Sequence, residues 1–181
     1  MILIPALPFA VLIENGASPN VGWDPAYLDI QPDRKVKQVH VSHITPLHIA
    51  AVNGFTELIE ILLSCGANIE GKDSNERTPI IYAASKKENF AAVQLLIKKG
   101  ADCTARGRTG TTAMHEAAKA DSQKMVTLLL KEGAEAENER NSNGETAVDL
   151  NPQLFGHKKY ERFLRSDTKT YLKYQIKMKS K

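Results

Sequence analysis

Two short motifs recur in register along this chain, and their spacing limits the fold more than any other feature. Thr45-Pro-Leu-His-Ile-Ala-Ala51 returns as Thr78-Pro-Ile-Ile-Tyr-Ala-Ala84 and as Thr112-Ala-Met-His-Glu-Ala-Ala118. A shorter echo follows at Thr146-Ala-Val-Asp-Leu150, and the leading threonines are 33, 34 and 34 residues apart. In phase with them run Leu62-Leu-Ser-Cys-Gly-Ala67, Leu96-Ile-Lys-Lys-Gly-Ala101 and Leu129-Leu-Lys-Glu-Gly-Ala134. Self-similarity at such a period marks units that bury their apolar faces by stacking on one another.

Each residue type has a local job. A Thr N-cap followed by Pro46 at the first helical position is a good helix start. Ala50 and Ala51 are small enough to let neighbouring helices approach closely. Leu58, Ile59, Ile61, Leu62 and Leu63 give a helix over roughly 56–64 a broad apolar face. Gly66 then supplies the left-handed residue that ends it. The series recurs before Gly100 and Gly133, with one extra residue between the helices of the second unit, in 85–90. A surface turn absorbs such an insertion at little cost.

With these motifs, residues 45–150 resemble the ankyrin repeat family, whose period is about 33 residues and whose signature is T-P-L-H-x-A. The resemblance implies an all-α solenoid of stacked helix-turn-helix units joined by hairpin loops. On that basis the array spans 1–156, with full repeats within 45–144 and a divergent cap from 144. The apolar opening, Met1 to Ile13, looks like a signal-peptide core but lacks a positive start and contains Pro5 and Pro8. Leu12, Ile13, Gly16 and Ala17 instead fill the helix-end slots of a partial repeat over 1–20, whose missing first helix suggests a fragment or a degenerate cap. An insertion over 21–40 carries Trp23 and Tyr27. Residues 157–181 read as a basic capping helix and tail: they carry +7, which leaves −4 for residues 1–156 of a +3 chain.

Catalytic chemistry finds little support. The chain has no GxGxxG, Walker-A, GxSxG or HExxH pattern. His48 and His115 fall where the ankyrin motif uses the ring for hydrogen bonds between loop and helix, while Ile81 replaces it in the second repeat. His40 and His43 lack further ligands with convincing spacing for zinc. Cys65 and Cys103 sit beside the repeat glycines with no evident base, and two cysteines without a CxxC suit a reducing compartment. The reading is therefore no enzyme, no metal and no cofactor, with an intracellular, cytoplasmic or nuclear location.

The resemblance implies protein–protein interaction through hairpin tips and the concave face of the first helices. Carried onto this sequence, the contact residues are Val52 and Asn53 in repeat one, and Asp73, Ser74, Asn75, Arg77, Ser85 and Lys86 in repeat two. Repeat three supplies Arg108, Thr109, Thr111, Lys119 and Ala120, and the cap supplies Asn143 and Glu145. Arg77, Lys86, Arg108 and Lys119 are expected to form a basic stripe. The partner is a protein of unspecified identity, with no small-molecule substrate. The basic tail, with interleaved Tyr160, Phe163, Tyr171 and Tyr174, adds nucleic acid or an anionic membrane as a second partner class. Alternative settings are the recognition portion of a larger enzyme or channel, a transcription-factor-binding regulator, and a pathogen effector that mimics host ankyrins.

Overall fold

The protein is described by a computed structural model covering residues 18–22, 43–135 and 139–155. Most of the partial repeat, the body of the insertion and the whole of 157–181 lie outside these residues. Among the described residues the regular elements are all helical, apart from an isolated bridge residue at Ile44.

Helices come in pairs. Repeat one contributes α1 (Pro46–Asn53) and α2 (Thr56–Ser64). Repeat two contributes α3 (Pro79–Ala84), a 3-10 turn (Lys87–Asn89) and α4 (Phe90–Lys98). Repeat three contributes α5 (Ala113–Lys119) and α6 (Gln123–Lys131). The described residues end in two single turns, α7 (Ala147–Leu150) and α8 (Pro152–Phe155).

The starts follow from the threonines. Thr45, Thr78, Thr112 and Thr146 all hold extended backbone before the first helical residue, with Pro46 and Pro79 pre-set for the helix. The ends follow from glycine: Gly66, Gly100 and Gly133 adopt φ of 84°, 95° and 89°.

The first helices α1, α3, α5 and α7 pack side by side, more closely than the second helices do. Alanine is the reason. Ala50, Ala51, Ala83, Ala84, Ala117 and Ala118 are all fully buried. The second helices add Leu62, Leu96 and Leu129, each fully buried at the repeat interfaces. A leucine in such a site contributes about 1.5–3 kcal/mol through burial. At the end of the described residues α7 is one turn long, and Leu154 and Phe155 in α8 are buried.

At the other end, Asn20 lies against the loop after α2. Its Nδ2 donates to Gly66 O at 3.1 Å, and Asn68 N donates to its Oδ1 at 2.7 Å. Glu70 repeats the gesture one unit on, its Oε1 accepting from Asp102 N at 2.8 Å. The borders of the inserted stretch also meet. A Cβ on Gly22 would stand 2.7 Å from the Cα of His43.

Candidate functional site

Hairpin tips form the first part of the site. Each tip closes on a pair of backbone bonds: Asp73 N to Arg77 O with Glu76 N to Asp73 O, Gly107 N to Thr111 O with Gly110 N to Gly107 O, and Asn141 N to Glu145 O with Gly144 N to Asn141 O. Successive tips are tied by Arg108 N to Asn75 O and by Ser142 N to Thr109 O, both at 2.7 Å. A side chain then braces the turn where one is present. Asp73 Oδ1 accepts from Asn75 N and Arg77 N, and Asn141 Oδ1 accepts from Asn143 N and Glu145 N. Gly107 has no such side chain. Arg77 Cγ and Asn75 O lie 3.0 and 3.2 Å from where its Cβ would stand.

Behind the tips, a histidine relay couples the first helices of repeats one and three to the next hairpin. His48 Nδ1 accepts from Thr45 N at 3.1 Å and lies 2.8 Å from Thr45 Oγ1. Its Nε2 then donates to Arg77 O at 2.9 Å. His115 does the same between Thr112 and Glu145 O. These bonds assign the neutral ring protonated at Nε2. Burial lowers the pKa of both imidazoles from the ordinary histidine value, outweighing their backbone bonds. In the cap, Asp149 Oδ2 accepts from Thr146 N and Oγ1. A carboxylate has no N–H to pass onward, so this relay ends there.

Repeat two carries a different cluster. Arg77 Nε and Nη2 donate to Asp73 Oδ2 at 3.0 and 2.9 Å, and the Tyr82 hydroxyl donates to the same oxygen at 2.8 Å. The guanidinium carbon sits 4.4 Å from the centre of the Tyr82 ring, which also meets His48 edge-on at 5.2 Å. Burial alone would raise the Asp73 pKa, but the Arg77 N–H, the Tyr82 hydroxyl and the guanidinium together hold it below the ordinary value. Burial and the bond to Asp73 push Tyr82 up to about 12.

The expected contact residues divide accordingly. Asn75, Arg108, Thr109 and Asn143 are exposed at the tips, while Ser74, Arg77, Thr111 and Glu145 are half-buried there. At the first-helix ends, Asn53, Ser85, Lys86 and Lys119 are exposed, and Val52 and Ala120 half-buried. Asp73 lies behind the tip. It is 5% exposed and its carboxylate is fully engaged, so it shapes the tip from behind.

Three of the four residues expected as a basic stripe have acidic neighbours. Arg77 is paired with Asp73, Arg108 lies 3.6 Å from Glu76, and Lys119 pairs with Glu116 at 3.0 Å. Sequence spacing cannot reveal these neutralising partners. It also passed over Ile49, Tyr82 and Glu116, the residues on the exposed side of α1, α3 and α5. Their signal was the fifth position of the Thr-led motif, which varies from Ile to Tyr to Glu while the two positions after it stay alanine.

Cys103 is a buried free thiol. Burial and the nearby Glu132 and Asp102 carboxylates raise the Cys103 thiol, the opposite of activation. Among the described residues no three histidine, cysteine or acidic side chains cluster as metal ligands, and no helix is long and apolar enough to cross a membrane.

Stacked helix pairs, closed tips and the Thr–His relay define a class of helical repeat protein. The chain belongs to the ankyrin repeat family. The family model "Ankyrin repeats (3 copies)" matches residues 12–107, more than half of the chain, and "Ankyrin repeat" matches 109–142. Ankyrin repeats are protein-interaction modules. A putative ankyrin repeat protein of Rickettsia bellii is 30% identical over 131 residues, covering 65% of this chain and 55% of that one. Ankyrin repeat and SOCS box protein 11 of Danio rerio is 37% identical over 113 residues, covering 61% and 38%. Tyrosine-protein kinase HTK16 of Hydra vulgaris is 34% identical over 125 residues, covering 68% and 16%. The chain thus spans little more than half, or much less, of these relatives' own lengths.

Proposed function

We propose that the array binds a partner protein through its hairpin tips and the exposed ends of its first helices. The supporting observation is a division of labour repeated along the array. Buried Thr45, His48, Asp73, Thr112 and His115 fix the backbone. Exposed Asn53, Asn75, Lys86, Thr109 and Lys119 stand on that frame at recurring slots. Ordering costs are then met before binding, which favours affinity. The contact surface comprises the sequence-expected residues without Asp73, within an array whose full repeats run through 45–144 and whose cap begins at 144.

The test compares the wild-type chain with a variant carrying Asn53→Ala, Asn75→Ala, Lys86→Ala, Thr109→Ala and Lys119→Ala. Co-purifying proteins would be quantified by mass spectrometry beside a thermal melt. Loss of partners at an unchanged melting temperature supports the reading. Full retention of partners overturns it.

A second setting is the recognition part of a larger polypeptide with its own activity. It is favoured by the kinase relative, in which the matching stretch is 16% of the length.

A further inference from the structure

The extra residue in repeat two accompanies a 3-10 turn between its helices, whose asparagine anchor has a counterpart in Asn151 Nδ2 donating to Ala118 O at 3.2 Å. Ser85 Oγ donates to Tyr82 O at 2.7 Å, and Lys86 leaves the helix in an extended conformation. The 3-10 turn Lys87–Asn89 follows. Asn89 is 6% exposed and anchors this turn to repeat one: its Nδ2 donates to Ala51 O at 3.2 Å and Val52 O at 2.9 Å. Its own N–H returns to Lys86 O at 3.1 Å. Gly54 makes room for the anchor, since a Cβ there would stand 2.5 Å from Asn89 Oδ1.

The result is a fixed turn that holds Lys86, Lys87 and Glu88 out in solvent. Among the described residues no salt bridge engages either lysine. The adjoining helices contribute no charge of their own, since α1 reads PLHIAAVN and α3 reads PIIYAA. They offer instead half-exposed Ile49 and Val52, which stand outside the core cluster, and Tyr82. Repeat three differs, because its inner-face lysine is already matched by Glu116.

We propose that this turn and the adjoining face of α1 and α3 dock an acidic segment of a partner protein that also carries aliphatic side chains. Lys86 and Lys87 attract the carboxylates; Ile49, Val52 and Tyr82 receive the apolar groups. The proposal rests on the protein-binding reading above and adds the chemistry of the partner. Rim charges of this kind act on encounter and specificity and are screened by salt.

The experiment uses the full chain and three short fluorescein-labelled peptides, in which leucines alternate with Glu, with Gln or with Lys. Fluorescence anisotropy reads binding at low and physiological salt. The Glu peptide should bind best and weaken with salt. Lys86→Glu with Lys87→Glu should weaken it by about tenfold or more, and should improve binding of the Lys peptide. Lys98→Glu with Lys99→Glu, a lysine pair at the end of α4, should leave it unchanged. Equal binding of the Glu and Gln peptides, or equal loss in both lysine variants, overturns the proposal. If the five-site alanine variant loses its partners while the Glu peptide shows no preference, the acidic-partner inference falls and the protein-binding reading stands.

Discussion

Ile81 leaves the Thr78 hydroxyl buried with no hydrogen-bond partner. In the flanking repeats the same slot holds His48 or His115, whose Nδ1 lies 2.8 Å from the threonine oxygen. One apolar substitution therefore removes both the local bond and the onward bond to the next tip.

Thr78→Val should accordingly leave stability unchanged or raise it by about 1 kcal/mol, because an unsatisfied buried hydroxyl is replaced by a methyl group. Thr112→Val should cost about 1–2 kcal/mol, since there the hydroxyl bonds His115. Urea titrations of the two variants check the contrast. Equal destabilisation by both would contradict this account of the Thr78 site.

Glu76 occupies a turn position at φ 60°, where the matching residues are Gly110 at 68° and Gly144 at 77°. Left-handed backbone disfavours a side chain by about 1–2 kcal/mol. Glu76→Gly should therefore raise the melting temperature by a few degrees, its exposed pairing with Arg108 being worth little. Gly110→Ala should lower it, for its Cβ would also stand 2.6 Å from Arg140 O. Differential scanning calorimetry reads both signs.

Acid should weaken the fold in two stages. His48 and His115 have folded-state values below the ordinary histidine value of about 6.5. Their contribution is present above that pH and is lost as pH falls through the folded values. Asp73, held below the ordinary aspartate value of about 4, contributes above it and is lost beneath it. The melting temperature should thus be flat near neutrality, decline below about pH 6.5, and fall again near pH 4. His48→Gln with His115→Gln should flatten the upper stage. A melting temperature that rises on acidification would rule this out.

Because Gly22 and His43 lie backbone against backbone, a few Gly and Ser residues can bridge them. Replacing 23–42 by such a linker should change stability by no more than about 1–2 kcal/mol. Thermal melts of the two chains decide it. A loss of many degrees would show that the inserted stretch contributes to the core.

The sequence made the helices legible because period, N-cap threonines and terminal glycines act locally. The helix read over 56–64 coincides with α2 (Thr56–Ser64). Relations across repeats were harder to see. That Asp73 is buried depends on Tyr82 and Arg77 folding over it, and that Lys119 is neutralised depends on a rotamer of Glu116. Burial and charge pairing of this sort belong to the stacked array. The interlock of Asn89 with Gly54 left only an indirect trace, the one-residue lengthening of the second unit.

The relay through the imidazoles also has a mechanical reading. His48 clamps the first unit to the second and His115 clamps the third to the terminal one, whereas Ile81 sets no such rivet between the second and third. Between those two units the load falls instead on the tie between their tips, where Arg108 N donates to Asn75 O at 2.7 Å.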